Sequence, residues 1–484
     1  MKAFRRIMLV VLVILAIVTT VRALRVRSHQ VPIEPYLKLA IDDAAAIQHL
    51  AGAIRFETVS LEGGQLAHPE AFTAFHKYLD QIFPHLHATL ARDDVSEFSL
   101  LYTWKGSDTS LAPILLLAHQ DVVPVDPATE SRWTHPPFSG DIADGFVWGR
   151  GTLDDKDSLM AVLEATEGLL AAGFQPHRTI LLAFGHDEEV QGMKGAKQVA
   201  ALLRSRGMHA EFSVDECGGI GGVLGVPAPV AFVNINEKGY VSFELSVETP
   251  SGHSSVPPRE TALSIMVKAL DQLQDSSMPV HLNGPLKRML EYLAADVPFG
   301  RRMIFANFWL AGPLLEPLLV AQPGTNAYLR TTILPTIFEA GTKDNVIPGR
   351  ARAIVNSRIF PGDTFEATRD HIRDAISDAR VKIAALDDWS AALPDSPVDG
   401  AEFRTIARSV RQVDPDVVVA PGLCTGQTDS RYYVQITPNL YRLVPVRSGR
   451  GDQGRVHGID ERIAGKDYAS LIQFYAQLMR NGAQ

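Results

Sequence analysis

Two histidines and a series of carboxylates stand along this chain where strands end and helices begin. His119 and Asp121 follow the apolar run Pro113–Ala118. On an extended segment, residues two apart share a face. The Asp121 carboxylate can therefore take one ring N–H of His119 and leave the other nitrogen for a metal. Asp154 and Asp155 precede an apolar-patterned helix carrying Leu159, Met160, Leu163 and Leu169. A carboxylate there can cap the helix or bridge two cations. Glu188 and Glu189 follow the run Thr179–Phe184; one can ligate a metal while the other moves a proton. Asp215 closes another strand-like segment, and His457 precedes the last helix. This imidazole and carboxylate set suits zinc, and a bridging carboxylate lets two ions share one site. Each residue alone reads as well as a cap or a solvated turn; the chemistry rests on their convergence.

The elements around them supply that convergence. Between Pro35 and Glu248, helical segments (Asp42–Ile54, Glu70–Leu79, Ser158–Ala172, Gly195–Arg206) alternate with strands (Leu100–Trp104, Pro113–Ala118, Thr179–Phe184, Phe212–Asp215). The alternation predicts an α/β catalytic domain with a largely parallel central sheet. In such sheets the site lies beyond the carboxyl ends of the strands, where His119, Glu188–Glu189 and Asp215 fall. From Tyr240 a second pattern begins, in the order β-α-β-β-α-β, predicting an inserted α+β lid domain. The expected organisation is residues 1–34 as N-terminal segment and linker, 35–239 and 388–484 as catalytic domain, and 240–387 as lid. Within the lid, Met303–Val320 is strongly apolar but broken by Gly312, Pro313 and Pro317, a poor membrane span. It reads as a core or dimer-interface helix, a pocket wall for an apolar group, or a surface that touches lipid.

The chain has 484 residues, of which 46% are hydrophobic, enough for two or more globular domains. A net charge of −9 and the lack of a basic stripe exclude a nucleic-acid partner. Ile7–Val21 is an apolar or weakly polar run flanked by Lys2, Arg5 and Arg6 before it and Arg22, Arg25 and Arg27 after it. That pattern is a signal peptide's apolar region or an uncleaved membrane anchor, with the anchor favoured because no clear cleavage site follows. The globular part is then exported, anchored at the membrane, or secreted or periplasmic if cleaved. Cys217 and Cys424 can form one bridge but are expected to be small buried fillers. Gly218–Gly225 is glycine-rich without the spacing of a dinucleotide loop, and no G-x-S-x-G serine elbow occurs.

AHQDVVPV, GRGTLDDKDS, GHDEEVQG, VDECGG, GHSSVPP, KDNVIPGRARAIVNSRIFPGD, TGQTDSRYY and HGIDERI occur in that order. With these motifs the chain resembles the dizinc aminoacylase and carboxypeptidase family (peptidase family M-20), most of all its carboxypeptidase S-like branch. The resemblance implies two zinc ions per subunit. His119 and Asp215 would hold one, Glu189 and His457 the other, and Asp154 would bridge them. Asp121 would orient His119, and Glu188 would be the general base. His253 in the lid would reach the substrate carbonyl, and Asn345 and Arg358 would grip the substrate. The implied reaction is hydrolysis of an amide beside a free carboxylate, on a peptide or an N-acyl amino acid, with a homodimer formed through the lid. Gln427 and Asp460 depart from the family pattern without removing a ligand. The competing reading, a non-catalytic binding module, would be expected to have lost ligands, and none is lost.

Overall fold

A strand covered on both faces carries apolar residues without alternation. Two such strands lie side by side in the computed structural model, which describes residues 1–223, 225–386, 389–447 and 454–484. The chain opens with the apolar helix α1 (Lys2–Arg25). It continues through β1 (Ala91–Val95), β2 (Ser99–Trp104), β3 (Ile114–His119), α2 (Lys156–Ala171), β4 (Ile180–Gly185), β5 (Phe212–Asp215), β6 (Ile220–Gly221) and β7 (Val230–Glu237). Next come β8 (Gly239–Glu248), α3 (Ala262–Asp275), α4 (Phe299–Phe305), α5 (Phe308–Val320), β9 (Thr332–Ala340), β10 (Arg350–Ile359), α6 (Phe365–Ile376) and β11 (Lys382–Ala385). The last segment holds β12 (Val418–Cys424), β13 (Leu440–Arg442) and α7 (Gly465–Gly482).

The large sheet runs β6–β7–β13–β5–β3–β4–β2–β1, with β12 also paired to β7. Its centre, β13, β5, β3 and β4, is parallel, and β2 and β1 flank it antiparallel. Alternate residues feed two cores. Leu100, Tyr102, Leu116, Leu182 and Phe184 share one core with residues of α2 and α7. Leu101, Leu115, Leu117, Leu181 and Ala183 meet Val199 and Leu203 of the helix Ala196–Ser205 on the other face. The parallel centre therefore delivers three strand ends to one edge.

The smaller sheet, β9–β10–β8–β11, is antiparallel throughout. Val241, Phe243, Leu245 and Val247 alternate along β8 and pack with Ile265 and Met266 of α3 and Ile372 of α6. Strand alternation and helix periodicity agree here, giving the predicted β-α-β-β-α-β order.

Two expectations change. Sequence order put everything from 240 to 387 in the lid, but Leu286, Leu290, Phe305, Phe308 and Leu319 bury in the core of the large sheet. The helix Pro285–Leu293 packs on β12. Position in the chain does not say which core an apolar helix will find. The expected return to the first domain, between Asp387 and Asp388, lies outside the described residues, as does Leu224 in the glycine-rich stretch. Cys217 and Cys424, expected as fillers, are joined in a disulfide across 207 residues of sequence. The bridge ties the segment after β5 to the end of β12, a proximity that only the sheet order creates.

Candidate metal centre

β3 ends on His119, whose ring is buried against three acidic groups. Its Nδ1 lies 2.9 Å from the Asp121 carbonyl oxygen and 3.4 Å from the Asp121 carboxylate. Either acceptor fixes the tautomer and leaves Nε2 free. That nitrogen is 3.0 Å from Asp154 Oδ1 and 3.6 Å from Glu216 Oε1. On the other side, His457 Nε2 is 3.0 Å from Asp154 Oδ2 and 3.1 Å from Glu189 Oε2. The two oxygens of Asp154 thus face two separate groups, His119–Asp154–Glu216 and Asp154–Glu189–His457. Within each group the donor atoms lie within 4.8 Å of one another.

The carboxylate of Asp121 has further work. Oδ1 accepts from the Glu188 N–H (3.0 Å) and Oδ2 from the Glu189 N–H (3.2 Å) and from Ser60 Oγ (2.5 Å). One buried carboxylate thereby holds the turn after β4 against the end of β3. Glu188 belongs to neither three-residue group, and its carboxylate lies 3.9 Å from the Arg431 guanidinium.

The charges fit divalent cations. Burial, then the neighbouring Asp154, holds the Glu216 carboxyl well above the usual carboxylate range. Burial and Asp154 also raise Glu189, and burial and Asp429 raise Glu188. Hydrogen bonds that the His457 ring donates to Asp154 and Glu189 lift its pKa to about 10. Burial opposes a charge on His119, but Glu216, Asp121 and Asp154 outweigh it and raise its pKa. Glu189 Oε1 is buried without a hydrogen-bond partner, as an oxygen aimed at an ion would be.

The expected ligand Asp215 is turned elsewhere. Its Oδ2 accepts from Ser430 N and Oγ, both at 2.8 Å, and its Oδ1 from the Glu216 N–H at 3.0 Å. Glu216, one residue on, occupies the place assigned to Asp215. Two adjacent acids at a strand end point to opposite sides, and which one faces the cluster depends on where β5 stops. Glu216→Ala should lower bound metal by one ion per chain with little change in melting temperature. Asp215→Ala should instead destabilise the fold, by about 1–3 kcal/mol for the unpaired Ser430 and Glu216 donors. Metal analysis and thermal melts of both variants check this.

His457 adopts a left-handed backbone conformation (φ +59°), uncommon for a residue with a side chain. Its loop is pinned from below. Arg150 Nη1 pairs with Glu461 at 2.6 Å, and Arg150 Nη2 donates to the carbonyls of His457 (3.1 Å) and Gly458 (3.2 Å). Glu461 Oε1 accepts from the Gly151 and Leu153 N–H groups. This buried pair joins the segment carrying Asp154 to the segment carrying His457. Both residues lie inside the motifs GRGTLDDKDS and HGIDERI, but nothing in their local sequence signals the pairing.

The cluster forms one end of a cavity of about 980 Å³ that includes Asp154, Glu188, Glu189, Glu216 and His457. Five arginines also line it: Arg358, Arg431, Arg447, Arg455 and Arg462. Arg358 lies over the Tyr240 ring, 4.9 Å from its centroid, and burial lowers its pKa. Arg431 was missed at the level of single residues, although TGQTDSRYY contains it. Ile220, Phe232, Leu423, Val444 and Val446 form an apolar wall. None of Met303–Val320 lines the cavity; the later residues Gly324, Ala327 and Tyr328 do.

His253 and Asn345 do not line it. They sit at the small two-stranded ladder where His253 pairs with Val346, and both are exposed. His253 Nδ1 accepts from the Ser255 N–H at 3.1 Å. β8 and β10 are paired from Tyr240↔Arg358 at the cavity to Glu248↔Arg350 at their far end. Eight residue steps of strand, at ~3.3 Å each, separate the ends by about 26 Å. Within one chain, only Arg358 of the three expected lid residues reaches the cavity.

The sequence profile of peptidase family M20/M25/M40 matches residues 115–481. The chain belongs to this family. It is a hydrolase, and the relatives agree. An N-fatty-acyl-amino acid synthase/hydrolase PM20D1 of Xenopus tropicalis is 40% identical over 441 residues, covering 90% of this chain and 85% of the relative. A probable carboxypeptidase S-like 2 of Dictyostelium discoideum is 39% identical, covering 91% and 86%. Among solved structures, the M20 family metallo-carboxypeptidase Sso-CP2 of Sulfolobus solfataricus superposes with a TM-score of 0.66 at 18% identity, covering 91% of this chain and 99% of that one. The family's fold is thus that of this chain.

Proposed function

We propose that this chain is a dizinc amidohydrolase that cleaves an amide beside a free carboxylate, with N-acyl amino acids bearing long apolar acyl groups as preferred substrates. The observation that carries the reading is one cavity lined by a shared-carboxylate cluster, by five arginines that include Arg358 and Arg431, and by apolar side chains. His119, Asp154 and Glu216 would hold one ion, and Asp154, Glu189 and His457 the other. Bound there, two zinc ions would lower the pKa of water and polarise the scissile carbonyl. Glu188 accepts a proton from the attacking water and passes it to the leaving nitrogen as the C–N bond breaks. Arg358 and Arg431 present planar donor forks for the substrate carboxylate. The apolar wall takes the acyl chain and excludes water.

Relatives with N-fatty-acyl-amino acid and carboxypeptidase S-like names support this class. The disulfide fits an oxidising compartment, and α1 fits a membrane anchor that leaves the rest of the chain exported. The lid's edge strand β9 exposes Leu334, Ile337 and Phe338, which supports a homodimer through the lid. A second copy would offer His253 a site its own chain does not.

The test is a series of N-acyl phenylalanines from acetyl to oleoyl, run beside blocked dipeptides and scored by released amino acid. Each buried methylene is worth about 0.8 kcal/mol, so the specificity constant should rise about fourfold per carbon until the cavity is full. A flat series, with dipeptides cleaved as well or better, would make the chain a peptide carboxypeptidase.

A further inference from the structure

The outer face of α5 is apolar, with the partly exposed Glu316 at its edge. Trp309, Leu310, Pro313, Leu314, Pro317 and Leu318 are all exposed, with Leu314 at 79% and Leu318 at 69%. They fall in pairs four residues apart, which keeps them on one side of a helix. The opposite side carries Phe308, Gly312 and Leu319, which are buried. So long an apolar stripe on a protein surface calls for a covering partner.

The neighbouring segment points to the partner. Thr19 and Ala23 are the buried residues of α1, and they sit where α1 meets the corner between α4 and α5. Asn307 Nδ2, at that corner, donates to the Thr19 carbonyl at 3.0 Å, and Arg22 donates to the Ala306 carbonyl at 3.3 Å. The remainder of α1 is exposed and apolar from Ile7 to Val18, a composition suited to a bilayer interior. The stripe of α5 thus starts where α1 leaves the globular part. α4 and α5 meet at 93°, so they are not one straight span. Thirteen residues of α5 reach only about 20 Å, short of the ~30 Å hydrocarbon core. Alone, α5 is too short to span the bilayer.

We propose that the exposed face of α5 is a lipid-docking surface, seated in the headgroup–acyl boundary of the bilayer that α1 enters. Shortly beyond its end, Gly324 begins the cavity-lining stretch that continues to Ala327 and Tyr328. Docking therefore sets this side of the cavity toward the membrane, and a long-acyl substrate dissolved in the bilayer enters without crossing bulk water. The docking rests on α1 and α5 alone; the delivery of substrate rests on the acyl-amino-acid reading above.

The experiment uses the full chain in phosphatidylcholine–phosphatidylglycerol vesicles, with an environment-sensitive fluorophore on Leu314→Cys or, as control, on the equally exposed Val256→Cys of the lid. Brominated lipid should quench the 314 probe at least about threefold more than the 256 probe, with a blue shift only at 314. Equal, water-like emission at both positions would overturn the proposal, as would a blue shift at 314 without lipid quenching, which would mean that a second copy covers the face. In the pair Leu314→Glu with Leu318→Glu, hydrolysis of a vesicle-dissolved long-acyl substrate should fall about tenfold, with a short water-soluble substrate unaffected. Equal losses on both, or none, would overturn delivery from the membrane. If neither substrate is cleaved by the unaltered chain, the acyl-amino-acid reading fails and the probes still decide the docking.

Discussion

Glu188→Gln should keep the metal content of the unaltered chain and lose turnover by about 10³-fold, within the 10²–10⁴ range of a positioned acid–base group. The substitution changes one atom of the side chain and leaves the Glu188 N–H on Asp121 Oδ1, so the turn after β4 holds its shape. Neither three-residue ligand group includes Glu188, so metal content should match the unaltered chain. Buried beside Glu189 and Asp429, its carboxyl is held above the usual range, which suits a group that must accept a proton and return it. Metal analysis and released amino acid, measured on one preparation, separate the two effects. Turnover within tenfold of the original would remove Glu188 as the base, and loss of metal would make it a ligand.

Asp154→Ala empties both sites. Its two oxygens stand 3.0 Å from His119 Nε2 and 3.0 Å from His457 Nε2, so its removal strips one donor from each group. Bound metal should fall below one ion per chain and turnover to background. The rise in melting temperature on adding zinc disappears, since that gain tracks metal affinity. This separates the bridge from Glu216, whose loss should spare the second ion. A variant that still binds two ions tightly would end the bridging role.

The sequence by itself determined the metal chemistry and the edge on which it happens. Unbroken apolar runs such as Ile114–Ala118 are legible as strands buried on both faces, and parallel strands place the residues after their carboxyl ends on one side of the sheet. His119, Glu188, Glu189 and Asp215 were therefore readable at one edge, because residue type and strand end are both local properties, whereas Asp154 and His457 precede helices and joined them through the family motifs. The tertiary structure decided the relations between distant segments. Glu216 faces the cluster in place of Asp215 because Ser430, 215 residues away, holds the Asp215 carboxylate. Cys217 reaches Cys424 because β12 pairs with β7, and Arg150 reaches Glu461 across 311 residues. Leu286, Leu290, Phe305, Phe308 and Leu319 bury in the large core because only the folded sheet offers them a match. His253 stands a strand's length from the cavity because the register of β8 on β10 carries it there. Periodicity fixes which face a side chain takes; the partner across the fold decides what that face meets.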